Sequence, residues 1–394
     1  MIFHIDLDCF FVSVERLLDP SLCGKPVVVG YDQGNKGVVA SASYEARAFG
    51  IHSAMPMMYA LQRCPQVVRV RPRHHRYSEI SKEIMTFLGT YSPEIKVASV
   101  DEAYVDMAGT QRLWGPPEEA AALIHKQVKE RFRLPLSVGA GCNATVAKIA
   151  TGRAKPDGVL VVPPGGERDF LYPLPVKVVP GVGPHLEAVL KHLGITTIGH
   201  LVVREDALLK AEAGGYAVEL ARLLRNPQPC SVAAQRARRK SLSVVETFME
   251  PVTDVCRLRQ WLLEQVRRLG SHMRDQGLAC NTLRLTLRTP KMDTFQHQRR
   301  AAMPLVTDAE IIALALPLLN ELLPRTGGVV RLVGLALGDL KPREDAMDFF
   351  PSRRDRRIAL QRVIDGINVD LGGGHVCLGL LETAEKRGNS RQKP

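Results

Sequence analysis

The chain has 394 residues, with 53 Lys+Arg against 41 Asp+Glu, a formal net charge of +12 and a pI near 9.4. Such a length predicts roughly two to four domains. A composition of 45% hydrophobic and 24% charged residues excludes wholesale disorder and collagen-like structure. No run approaches the ~18 apolar residues that cross a bilayer. We therefore expect a protein of the cytoplasm with no membrane partner.

Strand-like and helix-like patterns alternate along the first half of the chain. Period-2 runs predict strands at 2–7, 26–30, 37–41, 96–106, 136–141 and 159–162. Helical spacing predicts helices at 10–17, 56–63, 75–89, 117–132 and 143–153. The mixture predicts an α/β (α+β) fold.

Two of the predicted strands carry acids. Asp6 and Asp8 end the first strand, and Asp101 and Glu102 interrupt the apolar run IKVASVDEAYVDM. Carboxylates in apolar strands are costly unless a cation neutralises them. Oxygen ligands without histidine or thiolate suit Mg²⁺. For either pair alone, an ordinary strand-end acid is an equally good interpretation.

Basic and phenolic donors follow in two further segments. SYEARAFGI (43–51) places Tyr44 and Arg47 three residues apart, on one face of a helix, as a triphosphate-binding pair would be. AKIATGRAKPDG (147–158) supplies Lys148 and Lys155 at a helix end. Taken singly, each is a weak signal, since a lysine before Pro-Asp-Gly is usually a turn residue.

A glycine turn opens a helix near residue 183. In Pro180-Gly181-Val182-Gly183, backbone N–H groups at the helix start can bind a phosphate oxygen. Helix–hairpin–helix modules grip duplex DNA in this way. A plain glycine turn before a helix remains an alternative.

The positive charge is concentrated after this helical region. Residues 225–300 hold 15 Lys+Arg and 6 Asp+Glu, a local excess of +9. Four of the charges, Arg236, Arg238, Arg239 and Lys240, follow the Pro-containing stretch RNPQPC. Concentrated basic charge is typical of a polyanion-binding module. A solvated linker explains such a run about as often.

The following elements read strand, helix, strand, strand, helix, strand. Strands are predicted at 239–248, 282–289, 294–303 and 329–337, and helices at 254–274 and 307–323, with a further helix near 356–367. TLRLTLRT (282–289) alternates leucines with Arg284, Thr286 and Arg288. It predicts a sheet with an apolar face under two helices and a basic face free to meet a phosphate backbone.

Several motifs together resemble the Y-family of translesion DNA polymerases of the DNA polymerase IV (DinB) type. IDLDCFFVSVE (5–15) is similar to the opening motif of that family, SYEARAFGI to its finger motif, SVDEAYVDM (99–107) to its second acidic motif and AKIATGRAKPDG to its palm lysine motif. PGVG falls in the place of the thumb. The resemblance covers about residues 1–340, in the family's order.

The resemblance implies a role for each matching residue. Asp6, Asp101 and Glu102, with the Leu7 carbonyl, would hold two Mg²⁺ ions, and Phe11 would be the steric gate beneath the incoming sugar. The alternative is a core role for Phe11, since an aromatic residue that follows another, here Phe10, is more often core than gate. The residues implied to bind the dNTP triphosphate are Ser41, Tyr44, Arg47 and Lys155. Those expected to contact primer–template DNA are Gly181, Gly183, Arg238, Arg239, Lys240, Arg284 and Arg288.

A right-hand polymerase organisation is also implied. The expected domains are a palm (1–10 and 75–165), fingers (11–74), a helix–hairpin–helix thumb (166–232), a basic linker (233–240), a β-α-β-β-α-β little finger (241–340) and a tail (341–394). The expected activity is dNTP addition to a primer 3′-OH by a monomer of low processivity. A non-catalytic DNA-binding subunit is the main alternative, and another two-metal palm enzyme is a weaker one.

The tail and three substitutions depart from the family pattern. Ala346–Phe350 is similar to a sliding-clamp peptide without its usual glutamine, with Met347, Phe349 and Phe350 as apolar anchors. A patch that packs back on the little finger is the alternative. The three substitutions are Ala48 for a basic residue, Ala54 for glycine and Pro184 for a basic residue.

Overall fold

The computed structural model describes residues 1–31, 37–231, 239–343, 352–371 and 376. The chain divides into two units, Met1–Arg236 and Ala237–Pro394, with a boundary inside the predicted linker 233–240. Both units mix helices and sheets, so the predicted α/β (α+β) class is confirmed. Within the described residues, no helix combines the length and apolarity needed to cross a membrane.

The described strands are β1 (Ile2–Leu7), β2 (Val27–Gly30), β3 (Val39–Ala42), β4 (Val68–Val70), β5 (Ile95–Val97), β6 (Glu102–Asp106), β7 (Leu136–Gly141), β8 (Val159–Val161), β9 (Ser241–Val252), β10 (Leu278–Arg288), β11 (Thr294–Leu305) and β12 (Val330–Pro342). The helices are α1 (Phe10–Leu18), α2 (Tyr44–Ala48), α3 (Met57–Arg63), α4 (His74–Leu88), α5 (Gln111–Trp114), α6 (Pro117–Phe132), α7 (Ala144–Ala154), α8 (Glu167–Leu171), α9 (Pro184–His192), α10 (Ile198–Val203), α11 (Asp206–Ala213), α12 (Gly215–Arg225), α13 (Val255–Asp275), α14 (Asp308–Leu322) and α15 (Arg353–Asp370).

A five-stranded sheet, in the order β5–β6–β1–β7–β8, forms the centre of the first unit. β1 pairs antiparallel with both β6 and β7. Because side chains alternate along a strand, Phe3, Ile5 and Leu7 enter the core on one face, while His4 and Asp6 point to the other. Helix α7 packs against β1 and β7. The first acid motif therefore ends at the centre of the sheet.

The single strand predicted at 96–106 is wrong. The chain forms β5, a bend at 98–101 and then β6, and the two strands pair antiparallel. The N–H groups of Ala98 and Ser99 both donate to the Glu102 carbonyl, at 2.9 and 3.2 Å, which closes the bend. Asp101 lies in the bend, and Glu102 is the first residue of β6.

Two smaller layers complete the first unit. β3, β2 and β4 form a three-stranded sheet, and its core includes Ala46 of α2 and Met57 and Ala60 of α3. A separate helical core lies further along the chain, with Leu190 of α9, Leu201 of α10 and further residues of α11 and α12.

The second unit has the predicted order of strands and helices. Its four strands lie in the order β11–β10–β12–β9, and each neighbouring pair is antiparallel. α13 and α14 pack against this sheet. Leu283, Leu285 and Leu287 are fully buried in the core beneath them. The predicted leucine face is therefore confirmed.

Helix α15 is longer than predicted and packs on the second unit. The Arg274 guanidinium, 9% exposed as a residue, donates to both carboxylate oxygens of Asp365 at 2.6 and 2.8 Å and to Asp308 at 2.8 Å. A bidentate arginine–carboxylate pair of this kind sets the relative orientation of the two side chains and also stabilises their contact. Arg354 adds a 2.7 Å contact to Glu310. The helix is thus anchored at both ends.

Candidate active site

Asp6 and Glu102 lie directly opposite each other on neighbouring strands. They are register partners in the antiparallel β1–β6 pair. Side chains of directly opposed residues share one face of a sheet, with Cβ atoms about 4.5–5.5 Å apart. Two residues that are 96 positions apart in sequence thus present carboxylates to one place.

Asp101 joins the pair through the bend that precedes β6. Its carbonyl accepts a 2.9 Å hydrogen bond from the Leu7 N–H, which ties the bend to the end of β1. Its carboxylate accepts a hydrogen bond from Ser99, and its charge adds to the effect of burial in raising the pKa of Asp6. The three acids therefore lie around the end of β1.

Each acid of the opposed pair has a cationic partner. Lys155 Nζ lies 2.5 Å from Asp6 Oδ1, and Lys148 contacts Glu102. Burial raises the pKa of Asp6, and the Lys155 ammonium opposes part of that rise. A hydrogen bond with His4, reinforced by Lys148, holds the pKa of Glu102 at about 2. Glu102 is therefore ionised at neutral pH.

The donor chemistry of these residues fits a divalent cation. Three carboxylates and the Leu7 carbonyl are the oxygen ligands that Mg²⁺ prefers. The ammonium of Lys155 lies against Asp6, so positive charge is accommodated there. As the side chains of the described residues are arranged, no three His, Cys, Asp or Glu groups form a ready metal cluster. Metal binding by these residues would require Asp6 and Glu102 to exchange their lysine partners.

His4 is a member of this site that the sequence analysis missed. The residue is 1% exposed, contacts Glu102 through Nε2 and lies 2.8 Å from Thr151 Oγ1 through Nδ1. Thr151 in turn donates to the His4 carbonyl at 3.0 Å. A period-2 strand pattern shows that His4 shares a face with Asp6, but its partners come from α7 and β6.

The residues predicted to bind the triphosphate lie on two segments, α2 and the end of α7, and both segments contact Asp8. Tyr44 begins α2, and its hydroxyl donates to Asp8 Oδ1 at 3.0 Å. Burial and the charge of Asp8 raise the pKa of Tyr44, so its hydroxyl stays protonated. Arg47 lies over the Tyr44 ring at 5.0 Å, and its Nε donates to the Ala42 carbonyl. Lys155 caps α7, 4.0 Å from Asp8.

Ser41 is the least accessible of the predicted nucleotide contacts. It lies in β3, opposite Val29 of β2, and is 7% exposed. The next buried serine, Ser43, caps α2 by accepting a 3.1 Å hydrogen bond from the Ala46 N–H. The segment thus fixes the start of the helix that carries Tyr44.

Phe10 and Phe11 differ in burial. Phe10 is 2% exposed in the core, whereas Phe11 is only partly buried. The Phe11 ring stacks on Tyr77, with centroids 4.4 Å apart and planes at 15°. Tyr77 donates to the buried Glu15 at 2.6 Å. The Phe11 ring therefore rests on a fixed support.

The glycine turn of the helical region has a geometry that only glycine suits at one position. Gly181 has φ +96°, and a Cβ there would lie 1.9 Å from the Tyr216 hydroxyl. Gly183 is the N-cap of α9, and a Cβ there would meet open space. Pro184 occupies the first turn, where its missing N–H costs nothing. Ala54, the position at which the family resemblance leads us to expect glycine, has φ +66°.

The structure describes some, but not all, of the predicted DNA-contacting residues of the second unit. Arg284 and Arg288 alternate with the buried leucines of β10, so they lie on the sheet face opposite α13 and α14. Arg239 and Lys240 are exposed just before β9. Outside the described residues are Arg238 and the clamp-like Met347, Phe349 and Phe350.

Comparisons with known proteins agree with this geometry. A profile of the impB/mucB/samB family matches residues 5–152, the HHH motif of the IMS family matches 164–195, and the C-terminal domain of the impB/mucB/samB family matches 239–347. DNA polymerase IV of Dehalococcoides mccartyi is 36% identical over 96% of both chains. DNA polymerase IV of Halorhodospira halophila is 37% identical over 89% of this chain and 98% of its own.

Solved structures show the same fold. A Y-family DNA polymerase chimera of Dbh and Dpo4 has a TM-score of 0.73 at 28% identity, and covers 87% of this chain and 99% of its own. An insertion ternary complex of Dbh DNA polymerase has a TM-score of 0.61 at 26% identity, with coverage of 87% and 99%.

The chain therefore belongs to the impB/mucB/samB family, the Y-family of DNA polymerases. It is a DNA-directed DNA polymerase of the translesion class, and its curated relatives carry the name DNA polymerase IV. Divalent-metal dependence is general in this family.

Proposed function

We propose that this chain adds dNTPs to a primer 3′-OH, with Asp6, Asp101 and Glu102 as the acids that hold two Mg²⁺ ions. One observation supports this most strongly. Asp6 and Glu102 oppose each other on β1 and β6, and the Asp101 carbonyl is bonded to the Leu7 N–H. This arrangement brings three carboxylates and the Leu7 carbonyl to one strand end, where an oxygen-rich metal site needs them.

The bound metal ions would lower the pKa of the primer 3′-OH and neutralise charge on the leaving pyrophosphate. The residues of the chain supply the remaining functions. Lys155 is paired with Asp6 in this structure, and the triphosphate of an incoming dNTP offers it a second anionic partner. Tyr44 and Arg47 bind the same triphosphate from the side of α2. Charge on both sides of the phosphates orients them for in-line transfer.

The proposed DNA contacts divide between the two units. Gly183 and the first turn of α9 offer backbone N–H groups to a phosphate. Arg284 and Arg288 on β10, with Arg239 and Lys240 before β9, offer side-chain charge. Arg238 and residues 346–350 add a further cation and a docking peptide for the replicative sliding clamp, on the strength of the sequence alone. The chain acts as a monomer in this proposal.

DNA binding is expected to weaken steeply with salt and to depend on Arg284 and Arg288. Removing one cation that binds a phosphate lowers the slope of log Kd against log salt by about 0.9, so the double alanine variant should have a slope about 2 lower. Fluorescence anisotropy with a labelled primer–template measures it. Arg299 is the matched control, because it pairs with Glu321 of α14 on the opposite face. An unchanged slope in the double variant contradicts the proposed DNA face.

A template requirement separates the proposed activity from its alternatives. With dNTPs and Mg²⁺, the chain is expected to extend a primer only when a template strand is annealed, and to add the complementary base. A nucleotide cyclase would consume nucleotide without a primer, and a non-catalytic binding subunit would bind DNA without extending it. Gel-resolved primer extension with and without template decides among the three.

A further inference from the structure

Asp8 is a buried acid that lies outside the proposed set of metal ligands. The residue is 1% exposed, and its two carboxylate oxygens accept hydrogen bonds from three different segments. The Tyr44 hydroxyl donates to Oδ1 at 3.0 Å, and the Ser137 hydroxyl and the Asp157 N–H donate to Oδ2 at 2.8 and 2.7 Å. Lys155 Nζ lies further away, 4.0 Å from Oδ1. Three neutral donors therefore satisfy most of the hydrogen-bonding capacity of this carboxylate.

The three donors belong to segments with different tasks. Tyr44 begins α2, Ser137 lies fully buried in β7, and Asp157 is the second residue after Lys155. The turn that carries Lys155 and the helix that carries Tyr44 thus meet at one carboxylate. Asp8 joins the two proposed triphosphate-binding groups through direct hydrogen bonds to the phenol of one and to the backbone beside the other.

The backbone of Asp8 is fixed as firmly as its side chain. Its N–H donates to the Pro135 carbonyl at 2.9 Å, and its carbonyl accepts from the Ser13 hydroxyl at 2.6 Å. An acid that is held on both sides and fully engaged is poorly placed to turn towards a cation. Its geometry suits a residue that holds two binding elements in fixed relative positions.

We infer that Asp8 is a positioning residue that, before the nucleotide enters, holds Tyr44 and the Lys155 turn at the spacing a nucleoside triphosphate requires; the single Tyr44 hydroxyl proton then exchanges Asp8 for a phosphate oxygen as its acceptor. This inference rests on the proposed function of Tyr44 and Lys155. Asp8 itself touches neither the metal ions nor the nucleotide. Its loss should therefore weaken dNTP binding, without an equal change in the response to Mg²⁺ or in DNA affinity.

The test is single-turnover incorporation by Asp8→Asn over a range of dNTP concentrations. Asparagine keeps the shape of the side chain but cannot accept all three hydrogen bonds, and removal of one bond to a charged group corresponds to about 10- to 100-fold. We expect the apparent dNTP Kd to rise by that factor, with the Mg²⁺ activation midpoint and the DNA Kd within about twofold of wild type. Asp106→Asn is the matched control, because Asp106 is also a buried acid but lies at the end of β6 that is distant from Glu102.

A double-variant cycle separates positioning from general destabilisation. Tyr44→Phe should raise the dNTP Kd in the wild type and have a smaller effect in Asp8→Asn, because the contribution of the phenol depends on the position in which Asp8 holds it. Fully additive effects overturn the inference. An unchanged dNTP Kd in Asp8→Asn also overturns it, as does a shifted Mg²⁺ midpoint with the dNTP Kd unchanged, which would make Asp8 a metal ligand.

If Asp8→Asn does not fold, the dNTP Kd of Ser137→Ala tests the inference instead. This substitution removes one donor to Asp8 and nothing from the nucleotide site, and we expect an increase of about fivefold in the dNTP Kd. Ser92→Ala is its control, since the buried Ser92 hydroxyl donates to the Asp106 carbonyl. No increase over that control overturns the inference. A wild-type chain that extends no primer would instead refute the proposed function.

Discussion

Asp101→Ala is expected to lower the rate of nucleotide incorporation by about 10³-fold and to leave DNA affinity unchanged. The reason is that a carboxylate proposed to hold the cations is lost, whereas the bend that carries it is retained. The link from Asp101 to Leu7 uses the Asp101 carbonyl, which alanine retains. The side chain itself accepts a hydrogen bond from Ser99, two residues earlier in the same bend.

Asp101 is a cleaner position for this substitution than its two companions. Removing Asp6 or Glu102 leaves Lys155 or Lys148 without its carboxylate, so a structural effect would be mixed with the chemical one. Asp106→Ala in the adjoining strand β6 is the control for the removal of an acid. Primer extension measures the rate and anisotropy measures DNA binding. Extension at the wild-type rate by Asp101→Ala would refute the metal site.

Phe11→Val is expected to admit ribonucleotides. The ring lies flat on Tyr77 and is not part of the deep core, so valine opens space above Tyr77 without a large cavity inside the protein. Discrimination by steric exclusion should fall on the order of 10²-fold, because valine no longer fills the volume that a 2′-OH would take. The dNTP reaction itself should change much less.

The measurement is the ratio of kcat/KM for dCTP and CTP opposite a template guanine. Phe87→Val is the matched control, because Phe87 lies on α4 and packs with Tyr91 and Phe132. A ratio for Phe11→Val equal to that of the control would show that Phe11 is not the gate. The same readout for Tyr77→Phe, which retains the stacked ring, should remain close to wild type.

The sequence predicts the parts of the site that follow from local periodicity. The leucines and arginines of TLRLTLRT separate onto two faces because successive side chains in a strand point to opposite sides. Helical spacing puts only one of Phe10 and Phe11 inward, and the choice of Phe11 as the gate comes from the family resemblance rather than from periodicity. Asp6 at the end of β1 and Glu102 in the next acidic motif also follow from strand patterns, and the register of β1 with β6 brings them together.

Other parts depend on contacts between distant residues. The bend at 98–101 interrupts an apolar alternating run, and it is closed by the Glu102 carbonyl, which no local propensity reveals. His4 reaches Thr151, 147 positions along the chain. The hydrogen-bond donors to Asp8 are Tyr44, Ser137 and Asp157, which are distant in sequence. Its proposed positioning role therefore could not be inferred before the fold of the sheet and α2 was known.

The domain limits within the first unit and the role of each site residue remain predictions. The division between the units falls inside the predicted linker, at a point where the chain is rich in arginine. The clamp-like peptide follows the end of β12 and precedes the anchored α15, and its residues lie outside the described chain. Its binding to a sliding clamp is a separate question from catalysis.

The most direct test of the account is primer extension on two templates, one undamaged and one with a bulky adduct on a guanine at the first templating position. With Mg²⁺ and all four dNTPs, the wild-type chain should extend the primer on both templates, and Asp101→Ala should extend it on neither. Extension of the undamaged template alone would contradict the translesion class. Extension by both proteins, or by neither, would contradict the proposal that these acids make the chain a polymerase.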